Sequence, residues 1–284
     1  MTTLNAYATL AQFKAYSYAR GQSAAMTIDA TDDTVAEDLL KAASRLIERK
    51  TARFFYPRVE THYFDVPTGE ELDPRQLRMD GDLLEIITLT NGDDVAIPST
   101  EYSLIDRNHT PYYAIRLKDN STYVWASDGA GDTHGVIEVL GIWGYHDRYA
   151  NAWLSGGNTN EALDASEIGI DVVTGTNFAI GNIIKIENEL SYLSNVVTNT
   201  LTGTRGENGS TAATHDTSKT AYIWQFMEDI REACLLIAHN AYLNRTGESG
   251  SQAATVTAAG VVLTPEAIPA RVMHVLDGLK RVLA

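Results

Sequence analysis

The hydrophobic period of this chain changes twice, and those changes limit the fold more than any motif does. Up to about residue 57 apolar residues recur at helical spacing. From residue 59 they alternate, and at Trp224 the helical spacing returns. Residues 8–18 read as a first helix starting at a Thr9 cap, with Leu10, Phe13 and Tyr16 or Ser17 on one side. A second helix is capped by Asp29 or Thr31, has Asp32 and Asp33 near its positive end, and carries the stripe Val35, Leu39, Ala43, Leu46 and Ile47. That stripe is expected to pack on the first helix.

Five strands are expected in the alternating region: Thr61–Val66, Leu83–Leu89, Tyr102–Ile105, Tyr112–Leu117 and Val136–Trp143. Asn91-Gly92 between the second and third suits a tight reversal needing positive φ. Residues 151–163, rich in Asn, Gly and Ser, read as a linker. A second β module then offers Ile168–Val173, Ile183–Glu187, Tyr192–Val197, Thr200–Thr204 and Thr220–Ile223, with Thr198-Asn199 as a hairpin turn and 205–218 as a polar loop. Trp224–Asn244 reads as helix, Arg245–Ala259 as a mobile loop, and a last helix begins near Pro265 or Pro269. The expected fold class is α+β: a helical bundle from the N- and C-terminal helices plus a mostly antiparallel β block, with an inserted small all-β domain. The expected domains are 1–150, 151–221 and 222–284, the first and last forming one core.

The chemistry of the chain is sparse. Cys234 is the only cysteine among 284 residues, which excludes an intramolecular disulfide and a cysteine metal cage. The seven histidines include no i, i+4 pair and no HExxH, so no metal site is expected. Gly247-Glu248-Ser249-Gly250-Ser251 misses a nucleophile elbow by one residue, and Gly203–Gly209 lacks the GK[ST] of a phosphate loop. Asp128 and Asp132 bracket a glycine loop without EF-hand spacing, and a hairpin tip is expected there. No catalytic residue, cofactor or metal is therefore assigned, and the chain is read as a non-enzyme. No apolar run reaches the roughly 20 residues of a membrane span, and no signal peptide is expected at the start. The formal charge of −15 makes a grip on phosphate backbones a poor expectation.

Several segments together resemble the head–tail connector, or adaptor, proteins of long-tailed bacteriophages. They are Ala42-Ala43-Ser44-Arg45-Leu46-Ile47, then Arg53-Phe54-Phe55-Tyr56-Pro57, then Leu77-Arg78-Met79-Asp80 with Leu83-Leu84-Glu85-Ile86, then Tyr102-Ser103-Leu104. Val136–Tyr145, with its Gly-x-Trp-Gly-Tyr end, and the closing helices with Ala241–Arg245 and Ile268-Pro269 complete the pattern. The resemblance covers about residues 1–148 and 222–284. The segment near 151–221 departs from it and resembles a small β module of phage tail and virion proteins.

The resemblance implies a structural protein of the virion neck, present in the host cytoplasm during assembly. It would form a homo-oligomeric ring, a dodecamer by family habit, between the portal protein and a stopper or tail protein. Genomic DNA would pass through the lumen without specific binding, and no membrane is involved. Portal docking would fall to the C-terminal helix, Arg271, Lys280 and Arg281 meeting acidic surface while Val282 and Leu283 fill a groove. The other reading of that helix is ordinary packing. Two further functions stay open: a stopper or baseplate/tail component, and a glycan-binding tail protein using the tyrosines and tryptophans.

Overall fold

The computed structural model describes residues 5–19, 32–68, 73–246, 255–256, 262–263 and 268–281. By internal packing the chain forms two units, one of Met1–Phe55, Ala179–Asn182 and Phe226–Ala284, the other of Tyr56–Phe178 and Ile183–Gln225.

The first unit holds α1 (Leu10–Ala19), α2 (Asp33–Thr51), α3 (Glu228–Thr246) and α4 (Ala270–Gly278). Thr9 starts α1 through a reciprocal cap: its Oγ1 accepts from Gln12 N at 3.2 Å, and Gln12 Oε1 accepts from Thr9 N at 2.9 Å. The buried face of α2 is Ala36, Leu40, Ala43, Ser44, Ile47 and Thr51. It keeps Ala43 and Ile47 of the expected stripe but has Ala36 and Leu40 in place of Val35 and Leu39, which with Leu46 are half-buried. The small residues of this face let α2 approach α3, where Ile230, Ala233, Cys234 and Ala238 are buried.

Tyr7 ties this unit together. Its N–H donates to Ser44 Oγ at 3.0 Å and its hydroxyl to Glu48 Oε1 at 2.6 Å, while Phe55 N donates to the hydroxyl at 3.1 Å. Burial and then the Glu48 charge push the Tyr7 phenol well up, so it stays a donor. Burial also pushes the Cys234 thiol up to about 11, and it packs 3.4 Å from Ser44 Oγ as an inert core group. Pro269 precedes α4, as expected for a helix opening there. The Arg245–Ala259 loop lies almost wholly outside the described residues, as do Asp29 and Thr31; Thr255–Val256 (β12 in chain order) pairs with Val262–Leu263 (β13).

The second unit contains two antiparallel sheets. The first has five strands, β1 (Arg58–Phe64), β2 (Gln76–Thr90), β3 (Tyr102–Ile105), β4 (Tyr112–Leu117) and β5 (Ile137–Trp143), in the order β1-β5-β2-β4-β3. Its core is large and aromatic, with Phe64, Leu83, Leu89, Ile115, Leu117, Ile137 and Trp143 buried. The turn after β2 corrects one expectation. Positive φ falls on Asp94 (61°), not on Asn91-Gly92. Gly92 is required by space instead, since a Cβ there would stand 2.2 Å from the Ala126 carbonyl oxygen.

The second sheet has β6 (Trp153–Asn158), β7 (Gly169–Asp171), β8 (Ile183–Ile186), β9 (Glu189–Val197), β10 (Thr200–Arg205) and β11 (Thr220–Trp224), in the order β6-β11-β8-β9-β10-β7. The two outer strands meet. Thr159 bridges Val172, Asn160 N donates to Asp171 O at 2.8 Å, and Val173 N donates to Asn158 O at 2.9 Å. The sheet thus closes into a six-stranded barrel around Leu163, Ile170, Val172, Phe178, Ile184, Leu193, Leu201 and Ile223. Thr198-Asn199 is the expected hairpin turn. The expected linker is not one: β6 runs through it. Gly156 sits under Phe178, whose ring a Cβ would meet at 2.3 Å, so its small residues serve close packing within a strand.

The expected fold class is therefore corrected. Most of the ordered secondary structure lies in two antiparallel sheets of eleven strands, and the helices do not make a helical bundle with β additions. Of the four described helices, α1 and α4 have only 10 and 9 residues, too short to carry a core of their own.

Candidate functional site

The sequence-predicted docking residues sit as follows. Arg271 is exposed and pairs with Glu232 of α3, Nη2 to Oε1, at 2.7 Å. Lys280 is exposed just past α4, and Arg281 donates its backbone N–H to Thr51 O at 2.8 Å. Val282 and Leu283 lie outside the described residues. Within α4 the apolar positions Val272 and Leu276 are buried inside the unit.

A concave site that the sequence reading did not single out lies on the open sheet. This cleft has a volume of about 630 Å³ and is walled by β2 (Leu84, Glu85, Ile86), by β3 (Tyr102, Leu104) and by Tyr112 at the start of β4. Glu85 projects from the half of β2 that runs beyond its pairing with β4, so its side chain is left half-exposed. Its carboxylate Oε2 accepts from the Tyr149 hydroxyl and lies 3.4 Å from Lys185 Nζ of β8. Trp153 Nε1 donates to the Tyr149 oxygen at 3.2 Å, and Lys185 Nζ stands 4.8 Å from the centroid of a Trp153 ring. Burial and then the Glu85 charge push the Tyr149 phenol far up, so it remains a hydrogen-bond donor. On the rim, Arg107 is exposed with no partner among the described residues, and Lys118 Nζ donates to Thr100 O at 2.5 Å. The cleft thus combines aromatic and aliphatic walls with an excess of cations around one carboxylate.

The strongest electrostatic cluster is in the barrel. Arg205 of β10 forks onto Glu189 of β9, Nε to Oε1 and Nη2 to Oε2, each at 2.7 Å. It also donates to the carbonyls of Asp164, Glu167 and Ala213. Ala213 N donates to Glu189 Oε2 at 2.9 Å, and His215 bridges Glu189 (2.9 Å) and Glu187 (2.8 Å) through its two ring nitrogens. Burial alone would raise the Glu189 carboxyl, but Arg205, the Ala213 amide and His215 outweigh it and hold the group at about 2. The partners of Glu189, namely Arg205, Ala213 and His215, all come from the polar 205–218 segment. The segment expected as a loop is therefore strapped to the barrel wall by charge, and the cluster has no access for a substrate: the Arg205 and Glu189 side chains are 5% and 2% exposed.

Four other histidines also act as ties. His62 stacks on Trp143, His109 pairs with Asp106, His134 with Asp65, and His239 meets Ser17. Asp128 accepts from Ala130 N and Asp132 N, which makes a tight turn. It lies in the connection between β4 and β5, strands that do not pair, so the expected hairpin tip is corrected to a turn. Among the described residues no three metal-ligating side chains converge, and no described helix is long and apolar enough to cross a membrane.

The cleft was missed because its residues come from separated segments, each with a plain structural reading. The available signal was three basic residues in the β regions of an acidic chain: Arg107 just after β3, Lys118 just after β4 and Lys185 in β8. Comparison of the chain with protein-family models, with curated proteins and with solved structures found no match in any of the three.

Proposed function

We propose that this chain is a structural collar subunit of a bacteriophage neck, a ring adaptor between portal and stopper or tail that extends the DNA channel. The observation that supports the reading most is the meeting of the resembling segments. Ser44, from the Ala-Ala-Ser-Arg-Leu-Ile run, and Phe55, from the Arg-x-Phe-Tyr-Pro corner, are both bonded to Tyr7. Cys234 of the C-terminal helical part packs on Ser44. Residues from both ends of the chain thus build one unit, and the β strands form a long excursion between them. The charge of −15 suits a lumen through which DNA slides without being held. On this reading the cationic flank of α4, Arg271, Lys280 and Arg281 with Val282 and Leu283 after them, remains the candidate portal contact.

The test is the mass of the purified chain in solution, alone and with portal protein, followed by imaging of any ring. A closed ring that binds portal is the expected result. A chain that stays monomeric and ignores portal overturns it. One observation favours a second reading, a glycan-binding tail protein: Tyr102, Tyr112 and Tyr149 share the cleft with Ser99 and Ser103. A monomer that binds a glycan would replace the first reading with the second.

A further inference from the structure

We propose that the cleft on the open sheet receives the turn after β2, Asp93-Asp94-Val95, of a second copy of this chain. The inference rests on the ring reading and names the contact that would build the ring.

Copies that each carry −15 repel on average, so self-association needs a local patch of opposite sign. The cleft is such a patch. Arg107 and Lys118 stand on its rim, while its one carboxylate, Glu85, already has Tyr149 and Lys185. The turn after β2 is the complement. Asp93 and Asp94 are exposed, and the Asp94 carboxylate has no partner among the described residues. Val95, next to them, is an exposed apolar side chain at 43%. The acidic pair matches the rim, and Val95 matches the walls of Leu84, Leu104, Tyr102 and Tyr112.

The turn is also preorganised. Val95 N donates to Asp93 Oδ1 at 3.3 Å, Asn91 N donates to Val95 O at 2.9 Å, and Asp94 N to Asn91 O at 3.0 Å. The Asn91 side chain fixes the base of the turn, Nδ2 donating to Val124 O at 2.9 Å and Oδ1 accepting from Ala126 N at 3.0 Å. Little ordering entropy is then lost on docking. Cleft and turn are different surfaces of one sheet, so the contact is head-to-tail. Each copy keeps a free cleft on one side and a free turn on the other, which is what a closed ring requires.

The experiment uses the full chain and two charge reversals, R107E/K118E in the cleft and D93K/D94K in the turn, followed by native mass and sedimentation. All four positions are exposed, and circular dichroism checks that each variant folds. Wild type should assemble, and each variant alone should need at least roughly tenfold higher concentration. Mixing the two variants joins a reversed turn to a reversed cleft, opposite charges again, and pairs the two intact surfaces as well. The mixture should therefore assemble near the wild-type concentration, with the variants alternating.

Wild type that stays monomeric with and without portal overturns the ring reading, and this inference with it. Wild type that assembles while both variants assemble equally well overturns this inference alone. So does a mixture of folded variants that fails to recover assembly, or a glycan that fills the cleft while assembly is untouched.

Discussion

The two sheets of the second unit solve the same problem in opposite ways. The five-stranded sheet stays open and stabilises itself with bulk: Trp143, Phe64 and long aliphatic side chains fill its buried face. The six-stranded sheet closes on itself around mainly aliphatic residues and adds the Arg205–Glu189–His215 strap on its wall. Closure removes edges, so the barrel presents no unpaired strand. The open sheet keeps β3 as an edge, and beside it lies the cleft. The cleft, the proposed partner surface, lies where the sheet is left unclosed, and ionic reinforcement is found where the apolar core is small.

The sharpest way to break the comparison is to empty the open sheet. Trp143 stacks on His62 with ring centroids 3.7 Å apart, donates Nε1–H to Glu60 O at 2.9 Å and lies against Gly81. Trp143→Ala removes the largest fully buried side chain and leaves a carbonyl without its donor. The expected loss is about 4 kcal/mol, read from urea denaturation. A loss under about 1 kcal/mol would mean that bulk is not what holds this sheet.

The barrel should fail through charge. Glu189→Gln leaves the Arg205 guanidinium buried without its counter-charge, and the expected cost is about 3 kcal/mol. The same strap gives the wild type a limb at acid pH. Glu189 sits at about 2 against an ordinary 4.5, so it binds protons less readily folded than unfolded. Its stabilisation is complete above the ordinary value and is lost as pH falls from there toward 2. Denaturation followed through that window should show an acid limb in wild type that is shallower in Glu189→Gln, the remainder coming from other carboxylates held low, Glu60 and Glu187 among them.

Much of this division was legible in the sequence, but not all of it. β3 and β4 came out with the expected ends because Tyr102–Ile105 and Tyr112–Leu117 are short, apolar and bounded by turn residues. β2 begins well before Leu83, at Gln76; Arg78, Asp80, Gly81 and Asp82 conceal the alternation where the strand bulges. β6 was hidden because its glycines and serine read as linker composition, although Gly156 is small to admit Phe178. Barrel closure depends on Thr159 meeting Val172, a non-local pairing that no periodicity encodes. The helical overestimate came from reading short apolar stripes at both ends as a full bundle.

Gly92→Ala tests the open sheet at its turn. The added Cβ would meet the Ala126 carbonyl oxygen at 2.2 Å and the Val136 side chain at 2.8 Å. Backbone must shift to admit it, and the expected cost is about 2 kcal/mol. Because the shift moves Asn91 and the Asp93-Asp94 pair, assembly should weaken more than stability alone accounts for. Equal stability with unchanged assembly would separate the turn from both the sheet and the proposed contact.

The smallest effect is the most discriminating, because it runs the other way on the pH axis. His62 is a half-buried clamp on the open sheet, lying over Trp143 and between Glu60 and Asp80. The hydrogen bond with Glu60 raises its pKa most; burial opposes this, and Asp80 adds to it. A group raised on folding stabilises fully below its ordinary value of 6.5 and loses that contribution as pH rises through the folded value. The clamp is partly open to water, so the limb should be no more than about 1 kcal/mol. His62→Phe keeps a ring on Trp143 and should flatten this alkaline limb. Because the His62 hydrogen bond also holds the Glu60 carboxyl below its ordinary value, the acid limb should soften slightly too, with the Glu189 share of it left in place. If Glu189→Gln removes a different share of the acid limb in the His62→Phe background than in wild type, the two sheets do not respond independently to charge, and the contrast between bulk and strap fails.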